Sequence, residues 1–307
     1  MVKSRADLYA EAGITTAQEG ASHLSTVQTL KRVTEGGANI IDVIAYPFIT
    51  DVDKIAEEIP VKDWQKYNKN LKIGGVKITI DGSPQGRTAF FTTPYLLGGP
   101  AGEKNWKGEL TFPQETVNQM VKKVYDLNVP LLLHCNGDGA IDAFLTAYEF
   151  VRNGNYTKPW NVTSIHCQFI RKDQVAKFVK YNVRPSFYTL HTYYFYEAHL
   201  KNRGFEQAQF ISPIRYAMDA GLKPTNQTDF VVAPLDQMFM LWSAVNRISR
   251  ESAKVGLDQC AKPYEGLQMM TINAASQYDE SESKGVELSF ATANESEVSR
   301  SKTKINL

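Results

Sequence analysis

With 307 residues and a formal net charge of +1, the chain has no global field to draw nucleic acid or an anionic membrane. No apolar run reaches the roughly 18 residues of a membrane span, so neither partner is expected. Hydrophobic residues make up 43% of the chain and charged residues 22%, which is ample for a core, and the length suits one α/β barrel better than several small domains.

The three cysteines, Cys135, Cys167 and Cys260, form no Cys-x-x-Cys pair, and their odd number suits a reducing compartment rather than a disulfide scaffold. Residues 1–11 lack the apolar stretch of a leader, so the expected location is cytoplasmic. Asn155-Tyr-Thr and Asn161-Val-Thr match a glycosylation triplet that is frequent by chance.

In chain order, residues 4–12 read as a helix closed by Gly13, and 14–18 as a brief strand. Leu24, Val27, Leu30 and Val33 repeat at helical spacing up to Gly36-Gly37, and 38–46 is a continuous apolar strand. Residues 51–71 read as irregular, 76–80 as a strand, and 92–107 as a Gly- and Pro-containing loop. Pro113 opens a helix with Val117, Met120, Val121, Val124 and Leu127 on one face. Strands at 129–134, 162–167 and 184–190 then alternate with helices at 140–152 and 173–181. Ser212-Pro213 starts a helix that stops at Gly221, 229–232 is strand-like, and 235–249 is helical. Seven apolar strands alternating with helices predict a parallel sheet covered by helices, either a (β/α)8 barrel lacking one unit or an open doubly wound sheet. Residues 1–278 are expected to form this domain, and the polar composition of 279–307 predicts a largely disordered tail.

Lys77 is the anomaly, because Val76, Ile78 and Ile80 belong to a strand expected to be covered on both faces. An ammonium there is costly unless it is paired or altered. Either its stem is buried while the amine reaches solvent or Asp81, or a neutral amine captures carbon dioxide as a carbamate, an anionic oxygen ligand for metal. His134 ends the run Pro130-Leu-Leu-Leu, His166 ends Val162-Thr-Ser-Ile, and Asp229 opens Phe-Val-Val. One histidine after an apolar run is an ordinary structural residue. Two at equivalent strand ends, with Lys77 and Asp229 at two others, point to a metal site at the carboxyl ends of a parallel sheet.

These residues resemble the amidohydrolase superfamily, in the amidohydrolase 3 branch that includes N-substituted formamide deformylases. The matching stretches are Gly13-Ile-Thr-Thr, Val76-Lys-Ile-Thr-Ile-Asp-Gly-Ser with Arg87-Thr-Ala and Pro94-Tyr95, His134-Cys-Asn-Gly-Asp and His166-Cys-Gln. Ser186 to His191, Thr228-Asp-Phe-Val-Val-Ala-Pro-Leu-Asp, Ala244-Val-Asn-Arg and Thr271-Ile-Asn-Ala-Ala continue the match, in order, over 13–278. The resemblance implies a metal-dependent-hydrolase TIM barrel with Lys77 as a carbamylated metal bridge, His134 and His166 as metal ligands and Asp229 as the catalytic acid/base. It implies one or two divalent ions, zinc first, and hydrolysis of a carbon-nitrogen bond other than a peptide bond in a small amide or formamide, with a homodimer as one assembly. Arg87, Tyr95 and His191 would face substrate, although an Arg87–Asp81 pair and a Tyr95 packed under its loop are equally ordinary. Asn136 and Asp138 would orient His134 or simply turn the chain into the next helix.

The superfamily also carries a His-x-His pair on its first barrel strand, after part of a small β-sandwich, and no His-x-His occurs in this sequence. The expectation is therefore a barrel lacking its first strand and two of its ligands. Its rival is an inactive truncated barrel that serves as a binding protein or is a gene fragment. His23, at a helix start, is expected on the surface.

Overall fold

A computed structural model describes residues 2–285. Strands β1 (Thr16–Ser22), β2 (Asp42–Pro47), β3 (Tyr67–Asn68) and β4 (Leu71–Ile73) form one sheet in the order β1-β2-β4-β3, in which only β3 is antiparallel. A second, all-parallel sheet takes β5 (Val76–Thr79), β6 (Leu131–Cys135), β7 (Val162–His166), β8 (Val183–Phe187) and β9 (Thr225–Asn226) in chain order. The sheets meet where β4 runs into β5. A parallel bridge between Phe48 and Lys77, and the Ile49 N–H donated to the Lys77 carbonyl at 2.9 Å, carry the line of β2 past Gly74-Gly75. Crowding requires those glycines: a Cβ on Gly74 would lie 2.6 Å from the Ile44 side chain, and one on Gly75 2.2 Å from the Pro130 carbonyl oxygen.

Helices α1 (Val2–Glu11), α2 (Leu24–Glu35), α3 (Val52–Glu58), α4 (Gln114–Asp126), α5 (Asp138–Arg152) and α6 (Lys172–Tyr181) occupy the connections up to β8. Four short helices lie between β8 and β9, α7 (His191–Tyr194), α8 (Tyr196–Arg203), α9 (Phe205–Gln209) and α10 (Ile214–Asp219). After β9 come α11 (Gln237–Asn246), α12 (Pro263–Met270) and α13 (Ile272–Gln277). In α4 the buried Val117, Val121 and Val124 fall at helical spacing, and Asn153 and Asn182 end α5 and α6 in the left-handed conformation that asparagine tolerates. Among the described residues no helix is long and apolar enough to cross a membrane.

Strand alternation sorts the apolar residues into two layers. Val76, Ile78, Leu131, Leu133 and Val162 face the helices and join one large core with Val121, Ile141, Phe144 and Phe178. Ile44, Tyr46, Leu132 and Ile165 point the other way and form a small core of their own. The strands are thus buried on both faces, which is why they read as apolar runs without alternation. Lys77 stands in register with Leu132, on the face of this smaller core.

Residues 51–71, expected to be irregular, hold α3 and β3 and run into β4, and the helices α7 to α9 lie where no helix was expected. The strand expected at 229–232 is instead a turn: β9 ends at Asn226, and Val231 is 79% exposed. Residues 279–285, expected in a disordered tail, pack at the amino ends of β1, β2 and β4; residues 286–307 lie outside the described residues. There Lys284 Nζ meets Asp42 at 2.8 Å, Glu280 at 2.7 Å, Thr16 Oγ1 at 3.0 Å and the Tyr67 hydroxyl at 2.9 Å, while Lys72 pairs with Glu280. A cavity of about 640 Å³ opens beside this cluster. Just before it, the Gln277 side chain donates to Gln18 of β1 at 2.9 Å and accepts from the Thr225 hydroxyl of β9 at 3.0 Å. One side chain therefore spans from one edge strand to the other.

Candidate active site at the carboxyl ends of the strands

His134 is in register with Thr79 and Ile165, so its imidazole belongs to the same face as Lys77. His166 should not join it. Its register partner is Cys135, which faces the helices, and a regular strand would point His166 away from His134. The chain avoids this by leaving the strand conformation. His166 (φ 72°) and Cys167 (φ 48°) are both left-handed, and the two rings meet edge to face with centroids 4.6 Å apart. Non-glycine residues held in this region cost on the order of 1–3 kcal/mol each and concentrate at functional sites.

The surroundings keep both rings neutral. Burial and the charge of Lys77 push the His134 pKa down to about 3, and burial, His134, Lys77 and His191 hold His166 well below its ordinary value. His134 Nε2 lies 3.1 Å from Asn136 Nδ2 and 3.5 Å from Asp81 Oδ1, which leaves Nδ1 as its other nitrogen. His166 Nδ1 lies 3.3 Å from Gln227 Nε2, which leaves Nε2 as its other nitrogen.

Lys77 is coupled to this pair through charge, and Asp229 to Lys77. Burial brings the Lys77 amine down to about 8, opposed by Asp229, and partial burial raises the Asp229 carboxyl, opposed by Lys77. Asp229 sits on an exposed turn beyond β9 with φ 52°, beside Phe230, whose ring packs edge-on against Tyr9 of α1 at 5.8 Å. Of the residues singled out in the sequence, His134 and His166 are therefore in contact, Lys77 acts on both through its charge, and Asp229 acts on Lys77.

The others divide. Asn136 touches His134 and also donates to the Gly82 carbonyl at 2.9 Å. Asp138 makes no contact with His134; it accepts from the Thr92 N–H at 3.0 Å and from Arg171 at 2.9 Å, so it ties the 92–107 loop to α5 and α6. Arg87 does not pair with Asp81 but reaches the carbonyls of Leu97 and Gly98, at 3.3 and 3.2 Å. Tyr95 is buried, donates to the Ala89 carbonyl at 2.8 Å and stacks edge-on with Phe91, as a residue packed under its loop would. His191 is buried behind Tyr188, 3.0 Å from His199 Nε2. His23 is exposed and pairs with Asp51 at 2.7 Å.

Asp81 does what its place after β5 could only suggest. It is 2% exposed, and its two oxygens accept the backbone N–H groups of Asn136, Gly137 and Phe90 at 2.9 to 3.1 Å, fixing the turn that follows His134. Burial outweighs these bonds and raises its pKa to about 7. Gln227 and Tyr188, beside His166, carried no signal in the sequence.

A divalent cation fits the donors in kind: two neutral imidazoles in contact at the carboxyl ends of parallel strands, a depressed amine within β5 and a carboxylate on the turn beyond β9. It does not find a full set of ordinary ligands, because among the described residues no group of three or more His, Cys, Asp or Glu side chains could hold a metal ion.

Comparisons with known proteins bear on the family and the fold. The profile of the amidohydrolase family matches residues 1–286. The provisionally named amidohydrolase YtcJ of Bacillus subtilis (strain 168) is 21% identical over 243 residues, covering 75% of this chain and 43% of its own length. An uncharacterized metal-dependent hydrolase from Pyrococcus furiosus superposes with a TM-score of 0.77 at 22% identity, over 92% of this chain and 56% of that one. A second, from Pyrococcus horikoshii OT3, does so with a TM-score of 0.79 and the same identity and coverage. The chain thus spans about half the length of these relatives and shares the α/β fold of the metal-dependent hydrolases. With its match running over nearly all of the sequence, the chain belongs to the amidohydrolase family.

Proposed function

We propose that these residues form the metal centre of a hydrolase that cleaves carbon-nitrogen bonds other than peptide bonds in small amides or formamides. The observation that carries this reading is the His134–His166 contact, built by a left-handed turn at a strand end and coupled to Lys77 and, through it, to Asp229. In this reading the imidazoles of His134 and His166 hold a divalent ion, zinc first. The Lys77 amine, neutral for much of the time near pH 8, bonds to the carbon of CO2 and loses a proton, giving a carbamate that serves as a further oxygen ligand. When bound, the ion supplies the positive charge that acidifies a water and polarises a carbonyl.

Asp229 takes the proton from the attacking water and delivers it to the nitrogen as the carbon-nitrogen bond breaks. Its place on an exposed turn leaves the carboxyl open to water and substrate. Asn136 and Asp81 steady the imidazole of His134, and His191 backs the site through Tyr188. The two sheets read as seven strand positions of a (β/α)8 barrel, and the eighth falls between β1 and β9, where the family resemblance puts its His-x-His strand.

One observation favours a second reading, an amide-binding barrel that does not turn its ligand over: two imidazoles meet here, and no third ordinary ligand joins them. The experiment is metal analysis of the purified chain with and without bicarbonate, beside hydrolysis assays on a panel of N-substituted formamides and amides. Stoichiometric metal that His134→Ala with His166→Ala abolishes, and metal-dependent turnover, support the hydrolase. Metal retained by the double variant removes the centre altogether.

A further inference from the structure

Tyr188 directly follows β8 and is 1% exposed, yet its hydroxyl has no hydrogen-bond partner among the described residues. The rest of the residue is firmly held. Its ring meets His191 edge to face at 4.7 Å and lies 6.3 Å from the His166 ring, and it packs with Leu190, Ala233, Met240 and Met270. Its carbonyl accepts from Gln168 Nε2 at 3.0 Å and from the His191 N–H at 3.2 Å. A buried hydroxyl left unpaired costs about 1–3 kcal/mol, and nothing in this packing needs the oxygen, since phenylalanine would keep every ring contact. The hydroxyl stays a donor: burial and the negative charge of Asp229 raise the phenol above its ordinary range, so it keeps its proton. A rigid donor without a protein partner, beside His166 and within the field of Asp229, is a group waiting for a ligand.

We propose that Tyr188 is a catalytic residue whose hydroxyl donates a hydrogen bond to the carbonyl oxygen of an amide seated beside His134 and His166. The assignment rests on the hydrolase reading of the site. As the water oxygen bonds to the carbonyl carbon, electron density moves onto the carbonyl oxygen, and the O–H of Tyr188 meets that growing charge without giving up its proton. No other bond of Tyr188 has to break, but the hydroxyl is sealed from solvent, so neighbouring side chains move aside for the amide to reach it.

The test is Tyr188→Phe in the 307-residue chain, with zinc and bicarbonate supplied for turnover and without either for binding. On N-benzylformamide the variant should lose about 100-fold or more in kcat while KM moves less than about threefold, the pattern of a bond that strengthens in the transition state. Its melting temperature without metal should equal or exceed that of the parent, because an unpaired hydroxyl has been removed. Turnover within threefold of the parent overturns the assignment. So does a clear fall in melting temperature, which would mean that the oxygen has a structural partner. If the parent hydrolyses nothing on the amide panel, the hydrolase reading fails separately, and Tyr188 is decided by binding to the metal-free chain. N-benzylformamide should then raise the melting temperature of the parent and not of the variant, and equal shifts would refute the role.

Discussion

Lys77 and Asp229 titrate against each other: the carboxylate lifts an amine that burial has lowered to about 8, and the amine lowers a carboxyl that burial has raised. Each is less strained with the other present. The attraction makes the lysine more tolerable in an apolar strand, while its burial leaves it uncharged often enough, near neutral pH, to act as a nucleophile.

This yields a stability profile. The folded pKa of Lys77 lies below the ordinary lysine value, so stability linked to it is present above about pH 10 and is lost as the pH falls through about 8. Urea unfolding of the metal-free chain should show a gain on the order of 3 kcal/mol between pH 7.5 and 10 that Lys77→Met abolishes. The same slope in the variant would assign the gain to another group.

The site should separate metal holding from proton transfer. Asp229→Asn is expected to keep the metal content of the parent while turnover falls about 100-fold or more, whereas His166→Ala should lose the metal itself. Elemental analysis beside an amide assay reads both. Parental turnover in Asp229→Asn would remove the proton-transfer role.

Asp81 should carry the opposite pH dependence to Lys77. Its folded pKa, raised to about 7, means that its contribution is fully present below about pH 4 and is lost as the pH rises through 7. Asp81→Asn cannot accept all three N–H groups, because its amide nitrogen replaces one of the accepting oxygens. At pH 8, where the carboxylate form dominates, it should lose one of these bonds and shift the His134 ring resonances, measurable by NMR.

At the opposite end of the strands, Lys284→Met should destabilise the chain by about 3–5 kcal/mol, because it takes the Lys284 ammonium from the buried Asp42, which keeps the Asn70 amide, and one of two cations from Glu280. Adding Asp42→Asn to that variant should recover part of the loss. A cost within experimental error for Lys284→Met would show that the cluster closes without it.

Much of the strand and helix alternation was legible because strands covered on both faces read as apolar runs and helices such as α4 show a clean apolar stripe. His134, His166 and Lys77 stood out for the same reason, since polar residues are conspicuous in or at the ends of such runs. Phe230-Val231-Val232 misled the same reasoning: an apolar triplet resembles a strand, yet here it is the largely exposed turn after Asp229. Helices α7 to α9 have no apolar period to find, being mixed runs of Tyr, His, Glu and Lys held by local aromatic contacts. The polar residues 279–285 looked unable to pack, but charge pairing with Lys72 and Asp42 does what apolar side chains would otherwise do. Nothing in the sequence distinguishes Tyr95, spent on Ala89, from Tyr188, whose hydroxyl is spent on nothing.

Gln277 bears on how the chain reaches this state. Its contact with Gln18 joins residues 259 positions apart, so it is among the last that chain diffusion can bring about and among the most costly in loop entropy. Until it forms, the outer strands β1 and β9, each paired on one side only, are not linked to each other in a nascent polypeptide whose units can already pair in sequence. The rate of that final encounter, more than the strength of any strand pair, should then divide newly made chains between the native state and aggregates, and a chaperone that delays edge-to-edge contact would act at this step.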